Sequence, residues 1–396
     1  MKTVNRFVAL KCRRCKAEFP VNTQARCARC GGILASEYDL RGLSFEKNSR
    51  TMWDFRELLP PVERIVSMGE GWTPCLRLEN LEKILGLESV YAKMESLNPT
   101  GSFKDRAASL GVSFALSLSK KGCFTASSGN AALATCAYSS KAGLRCALLI
   151  RDDVPKQKLK PLFMYSPLVF RVKNLYQTQK RLLESLSLVS RMLPDWFNLF
   201  LWAPVNPALV DAYKTISFEI FLQIGIPDYV VVPVAGGDLL FGVHKGFLEL
   251  KHAGLTHKLP KMVAVQPLGS DPLVQSFDNR LRVVESIVPR KSVAVALQVG
   301  FGAEHALDAL YESKGFGVSV TDKETIEAHR LLAKKEGVFC EISSATAIAA
   351  LFRAKIKNEK VCVIITSTGF KHFLPSDAKE FFVEDVNSLI QNLRKL

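Results

Sequence analysis

The stretch YVVVPVAGGDLLFGVHKGFLEL, residues 229–250, constrains the fold more than any other. Its first six residues are apolar without alternation, the mark of a strand covered on both faces. Three small residues, Ala235, Gly236 and Gly237, end the run, and a helical pattern follows directly. The same succession of short apolar run, small or polar turn and helix recurs from the "SVYAKMES" run at 89–96 to the "KVCVIITSTG" run near the end. Alternation of this kind predicts parallel α/β architecture. Further strands are predicted at CFTA, LRCALLI and KMVAVQP, and helices at AALATCAYSSKAG, NLYQTQKRLLESLSLVSRM and ATAIAALFRAKI. Thr321-x-x-Glu324 reads as a capping box opening a helix that stops at Gly337.

Open sheets of this type bind ligands beyond the carboxyl ends of their strands. Three such ends carry chemistry. ESLNPTGSFKDRAAS, 95–109, presents Lys104 behind a proline and a glycine, at the start of a helix predicted to run to Gly122. TASSGNAA, 125–132, sets Ser127, Ser128, Gly129, Asn130 and Ala131 at a second helix start. PVAGGDLLFG provides a third, Ala235 to Leu239, where backbone N–H groups can approach an anion and the helix dipole favours it. A phosphate is the natural guest of the third turn. Singly, each turn is ordinary. Together they specify a site.

CRRCKAEFPVNTQARCARCGG gives Cys12-x2-Cys15 and Cys27-x2-Cys30. Two such knuckles predict a closed four-thiolate zinc site, structural because no position is left open. The flanking Lys11, Arg13, Arg14, Arg26 and Arg29 are expected to offset the thiolate charge. Cys75, Cys123, Cys136, Cys146, Cys340 and Cys362 sit in apolar contexts and read as buried thiols. His244, His252, His257, His305, His329 and His372 show no metal-ligand spacing.

The net charge of +15 is concentrated in two segments, 1–30 and 151–191. No helix-turn-helix or RNA-recognition signature accompanies it, so a solvated face is the reading and no nucleic-acid partner is expected. The chain carries no signal-peptide pattern and no long apolar run, which points to the cytoplasm and away from membranes.

LNPTGSFKDR, ASSGNAA, PVAGGDLLFG and ITSTGFK resemble the motif set of threonine synthase and its relatives, pyridoxal-phosphate enzymes of fold type II. The cysteine-rich start LKCRRC…CARCGGILASEYDL and the later KKEGVFCEISSATAIAAL are also similar to that family, so the likeness spans nearly the whole chain. It implies two parallel or mixed-sheet α/β domains and a small N-terminal zinc ribbon: ribbon 1–36, large cofactor-binding domain 37–108 and 206–396, small domain 109–205. It implies that Lys104 forms the Schiff base with pyridoxal phosphate. An amine in that role must be partly neutral, so burial and a nearby cation are expected to depress its pKa. Asn130 would bond the ring hydroxyl, and Ser127, Ser128, Gly129 and Ala131 would hold the substrate carboxylate. Ala235, Gly236, Gly237, Asp238 and Leu239 would cradle the phosphate. Thr368 would face the pyridine nitrogen, a neutral partner that steers chemistry toward elimination and replacement. Arg106 would position the loop or form a helix-start salt bridge, and Glu341 would lie near the site. An amino-acid substrate follows from the same likeness, and a homodimer is compatible with it.

Two departures stand out. Asp238 closes the glycine turn, and is expected to cap the next helix. APVNPALVDAYKT, 203–215, has Leu209 and Ala203 where the family pattern puts an arginine and an asparagine on the substrate phosphate. Either another cation substitutes, for which the basic 151–191 segment is a source, or the substrate carries no phosphate. The functional readings are therefore conversion of O-phosphohomoserine and water to threonine and phosphate; a related reaction such as β-replacement, as in cysteate or diaminopropionate synthesis, or a dehydratase or lyase; and an inactive relative kept for binding.

Overall fold

The computed structural model describes residues 5–21, 25–45 and 49–371. The domain limits 1–36 and 206–396 therefore extend beyond the described residues, and His372 lies outside them.

The chain opens with β1 (Phe7–Cys12), β2 (Glu18–Phe19) and β3 (Leu34–Tyr38), an antiparallel sheet in the order β2-β1-β3. A 3-10 helix, Met52–Leu58, follows, held by a capping box between Thr51 and Asp54. Then come β4 (Cys75–Arg77), α1 (Glu79–Leu85), β5 (Ser89–Lys93) and α2 (Lys104–Ser117).

A second sheet is built from β6 (Gly122–Ala126), α3 (Asn130–Ala142), β7 (Arg145–Arg151), α4 (Lys156–Phe163), β8 (Leu168–Val172), α5 (Gln179–Met192) and β9 (Trp196–Asn198). Its four strands are parallel, in the order β8-β7-β6-β9.

The remainder is α6 (Asp211–Ile224), β10 (Tyr229–Pro233), α7 (Asp238–His252), β11 (Lys261–Pro267), α8 (Pro272–Asp278), α9 (Glu304–Glu312), β12 (Phe316–Val320), α10 (Asp322–Glu336), α11 (Ile342–Arg353) and β13 (Lys360–Ile364). These strands join β4 and β5 in a six-stranded sheet, β12-β11-β10-β13-β5-β4, parallel except for the β4–β5 pair.

The run that constrained the fold behaves as its composition requires. Val230 and Val232 of β10 enter the core on one face of the large sheet, while Val231 enters a separate core on the other. Each buried valine contributes roughly 1.5–3 kcal/mol, so both faces must be apolar for the strand to be central. The capping box holds: Thr321 Oγ1 accepts Glu324 N at 3.2 Å, and Glu324 Oε2 accepts Thr321 N at 2.7 Å.

Two boundaries differ from expectation. α2 ends at Ser117, and Gly122 opens β6, because Ser119 already turns the chain in the left-handed region with φ 51°. α5 starts at Gln179 rather than Asn174, since Thr178 caps it through Arg181 N at 3.1 Å. Among the described residues no helix is long and apolar enough to cross a membrane.

Candidate active site

Lys104 is the first residue of α2, reached from β5 through the turn at 98–103. That turn is fastened on several sides. Asp105 accepts from Thr100 N at 2.7 Å and also from the Thr100 hydroxyl. Phe103 N donates to Thr366 O at 3.1 Å and Thr368 N to Gly101 O at 3.0 Å, tying the turn to the chain leaving β13. Gly101 has φ 77°, and a Cβ there would lie 2.6 Å from Thr368 Cγ2. Glycine is therefore required twice over, by conformation and by contact.

Below the turn lies a buried charge network. Arg106, fully buried, donates to both oxygens of Glu95 at 2.7 and 2.6 Å and both of Glu219 at 2.5 and 2.8 Å. Lys93 donates to Glu219 Oε2 at 2.6 Å, Thr73 Oγ1 to Glu95 Oε1 at 2.7 Å, and Asn98 Nδ2 to Glu95 Oε2 at 2.8 Å. Two cations face two anions, so no net charge is buried. Both roles foreseen for Arg106 hold: it pairs ionically, and by doing so fixes α2 and the 95–98 segment together.

Lys104 faces a cavity of about 1420 Å³ between the two parallel sheets. Its Nζ lies 4.4 Å from the Phe103 ring centroid and 5.7 Å from that of Tyr213. Burial lowers the amine to about 8, against the opposing pull of the Asp238 charge. The other walls are the two turns read from sequence. Ser127, Ser128, Gly129, Asn130 and Ala131 line it where β6 gives way to α3. Ala235, Gly236, Gly237, Asp238 and Leu239 line it where β10 gives way to α7. All three groups sit at the carboxyl ends of parallel strands.

A family model described as pyridoxal-phosphate dependent enzyme matches residues 66–367, an interval that contains all three groups. The chain belongs to that family. Its relatives include a threonine synthase from Methanocaldococcus jannaschii, 34% identical over 91% of this chain and 92% of the relative. Another, from Methanosarcina acetivorans, is 33% identical over 86% of this chain and 85% of the relative. Among solved structures, a serine racemase from Dictyostelium discoideum superposes with a TM-score of 0.60 at 26% identity, covering 75% of this chain and 92% of that one. A maize serine racemase gives 0.65 at 20% identity over 82% and 92%, a likeness of fold.

The residues present fit the family's coenzyme. A Cβ on Gly236 would lie 2.8 Å from Trp202 Nε1, and one on Gly237, at φ 105°, would lie 2.4 Å from Ala306 Cβ. Side chains are thus excluded from this turn, leaving backbone amides at the start of α7, which have no acceptors within their own helix. The first bond back to the turn is Phe241 N to Gly237 O at 3.0 Å. Asp238 is the first residue of α7 and not its cap. Its carboxylate instead accepts from Ala203 N, at 3.1 and 3.0 Å, and lies 2.9 Å from His305 Nε2. Those buried donors hold it where a helix cap could not be made. The cation expected to depress Lys104 is not found beside it among the described residues; burial alone does this.

Asn130 is engaged at both ends, donating from Nδ2 to Glu341 Oε2 at 2.8 Å and accepting from Lys371 Nζ at 2.8 Å. Glu341 lines the cavity, and so does Thr366. Thr368 does not: it turns toward Gly101, and the residue two positions earlier occupies the wall. The resemblance of ITSTGFK points to Thr368 and does not single out Thr366, yet Thr366 is the one that reaches the cavity wall.

An amine at about 8 is mostly protonated below that pH and cannot attack an aldehyde. The rate at which apoprotein takes up pyridoxal phosphate, followed by visible absorbance, therefore rises with pH through about 8 and then levels. A flat profile across this range would show that a different amine reacts.

Leu209 and Ala203 are buried at 4% and 1% exposure and do not line the cavity. Leu209 packs against α2, its Cδ1 3.1 Å from the Cβ position of Gly111. An arginine here would be buried without a partner rather than placed on a substrate. Leu209→Arg is expected to lower stability by about 3 kcal/mol or more, with no gain in activity, as read by urea unfolding and turnover. The basic 151–191 segment does reach the cavity, through Arg151, Lys158 and Lys180. Arg151 is paired with Asp153 at 3.0 Å and Lys180 with Glu184 at 3.9 Å, whereas Lys158 forms no ion pair among the described residues.

The Sγ atoms of Cys12, Cys15, Cys27 and Cys30 lie within 4.8 Å of one another, with Cys12–Cys30 and Cys15–Cys27 at 3.5 Å. Four thiolates at roughly 2.3 Å from a tetrahedral dication would stand about 3.8 Å apart, so the group could hold a metal. Burial opposes ionisation of Cys12, yet the amides of Cys15 and Arg14 bring it down to about 6. Arg14 and Arg26 stay beside the cluster, donating to Cys30 O at 3.3 Å and Gly31 O at 2.9 Å, whereas Arg13 bonds Asp308 and Glu312 on α9. Of the other thiols, Cys75 is half-buried and the remaining five are buried.

Proposed function

We propose that the chain catalyses the threonine synthase reaction, conversion of O-phosphohomoserine and water to threonine and phosphate. The observation that carries this reading is the partly neutral amine of Lys104 facing an amide cradle and a Ser/Asn turn across one cavity, in a chain 34% identical to a threonine synthase over 91% of its length. Pyridoxal phosphate, when bound, supplies the electron sink that makes protons beside the substrate amine removable. Lys104 Nζ would carry the coenzyme and move protons at the substrate carbons. Ala235, Gly236, Gly237, Asp238 and Leu239 would hold its phosphate by backbone amides at the start of α7. Asn130, oriented by Glu341 and Lys371, would bond the ring hydroxyl, and Thr366, in place of Thr368, would face the ring nitrogen. Ser127, Ser128, Gly129 and Ala131 would hold the substrate carboxylate at the start of α3. The four cysteines would hold structural zinc. The domain division at 36, 108 and 205 is adopted with the same reading.

Lys158, at the cavity wall without an ion-pair partner among the described residues, takes the place that Leu209 vacates as the grip on the leaving phosphate. Lys158→Met should raise KM for O-phosphohomoserine about tenfold or more while leaving unphosphorylated substrates unaffected. The decisive experiment is phosphate release from O-phosphohomoserine beside O-phosphoserine, serine, threonine and O-acetylserine. Turnover of the first supports the reading; turnover of another and not the first overturns it. That outcome would select the second reading, a related replacement or elimination on a different amino acid.

A further inference from the structure

We propose that the cysteine-rich head positions the phosphate cradle through α9, with Arg13 and His305 as the positioning residues. Arg13 lies between Cys12 and Cys15, so the knuckle fixes its backbone. Its side chain leaves the head: Nε donates to Asp308 Oδ2 at 2.8 Å and Nη2 to Glu312 Oε1 at 2.7 Å. Arg14 and Arg26 approach Glu304 at 3.8 and 3.9 Å. Glu304, Asp308 and Glu312 are four residues apart and form one acidic stripe on α9, facing the head.

The same helix reaches the cradle. His305, fully buried, lies with Nε2 2.9 Å from Asp238 Oδ1, a carboxylate oxygen to which Nε2 donates, and its Nδ1 has no hydrogen-bond partner among the described residues. Ala306, next along, sits where a side chain on Gly237 would be. The Phe241 ring joins both contacts: Arg13 Cζ lies 4.9 Å from its centroid, and the His305 ring meets it edge-on at 5.0 Å. Glu312 also receives His244 Nε2 of α7 at 3.1 Å. α9 is thus clamped between the head and the first turns of α7. Letting go of Arg13 would loosen the helix that holds Asp238 and walls in Gly237, and the amides of that turn would lose their fixed aim.

This rests on the reading of residues 235–239 as the phosphate cradle, and the test separates the two. Full-length apoprotein is titrated with pyridoxal phosphate and with pyridoxal, which offers Lys104 the same aldehyde without the phosphate. The variant Asp308→Asn/Glu312→Gln leaves the cysteines and the cavity untouched. It should weaken pyridoxal phosphate about fivefold or more and leave pyridoxal unchanged. Arg13→Gln should do the same, and adding Asp308→Asn to Arg13→Gln should cost nothing more, because Asp308 acts through Arg13. Equal loss for both ligands, no loss for either, or additive losses would overturn the proposal. Should the double variant fail to fold, Asp308→Asn alone serves with the same outcomes. Gly237→Ala is the control. If it leaves pyridoxal phosphate affinity unchanged, the cradle reading itself fails; if it weakens binding while the α9 variants do not, only the coupling fails.

Discussion

Lys104→Ala should lower turnover by about a thousandfold or more and abolish the visible absorbance that borohydride bleaches in the wild type. The size of the effect follows from the loss of two functions at once, attachment of the coenzyme and proton transfer at the substrate. The fold should tolerate it. Lys104 is half-buried, makes ring contacts with Phe103 and Tyr213 and no ion pair among the described residues, so its removal leaves no buried charge unpaired. Lys104→Arg should be equally inactive: it keeps the charge, but a guanidinium does not deprotonate at any working pH. Retained activity in either variant, or borohydride labelling of Lys158 or Lys371 instead, would remove Lys104 from the centre of the site.

Arg106→Met should cost about 3–5 kcal/mol of stability, measured by urea unfolding. The arginine is the hub of a buried set in which two cations balance two anions. Its loss leaves Glu95 and Glu219 with Lys93 alone among the network's cations. Burial disfavours charge on Glu219, yet Arg106 and Lys93 hold it down to about 2 in the folded protein. A depressed carboxylate contributes stability above its ordinary pKa and loses it as pH falls toward the folded value. The difference between wild type and variant is therefore largest near neutral pH and narrows as the solution is acidified through the carboxylate range. Adding Glu95→Gln should recover part of the loss. A variant as stable as wild type at neutral pH would show that the network is dispensable.

The three turns that line the cavity were legible in the sequence. Lys104, the Ser127–Ala131 turn and the Ala235–Leu239 turn follow buried strands and precede helices, and the parallel sheet topology alone obliges such turns to gather on one side. The pairs of cysteines were legible for a similar reason: the chemistry of the site is written in four residues of one type at close spacing. Neighbourhood was not legible. Thr366 and Thr368 look alike in ITSTGFK, and only the folded chain, in which Thr366 lines the cavity and Thr368 meets Gly101, tells them apart. Asp238 read as a helix cap because its partners, Ala203 and His305, are thirty-five and sixty-seven residues away. Leu209 read as a missing ligand, and the structure makes it core. α9 gave no signal that set it apart, yet it joins the head to the cradle.

The sequence by itself determined the class of fold and the cysteine cluster, because hydrophobic period, turn residues and ligand spacing are local properties that survive being read in one dimension; the coenzyme came from the family resemblance of its motifs. Tertiary structure alone decided which charges are paired, which threonine meets the cavity, and that Arg13 of the basic head is spent on the acidic face of α9. Those outcomes depend on distances between residues remote in the chain, and the energy of an ion or a buried hydrogen bond is set by what surrounds it rather than by what precedes it.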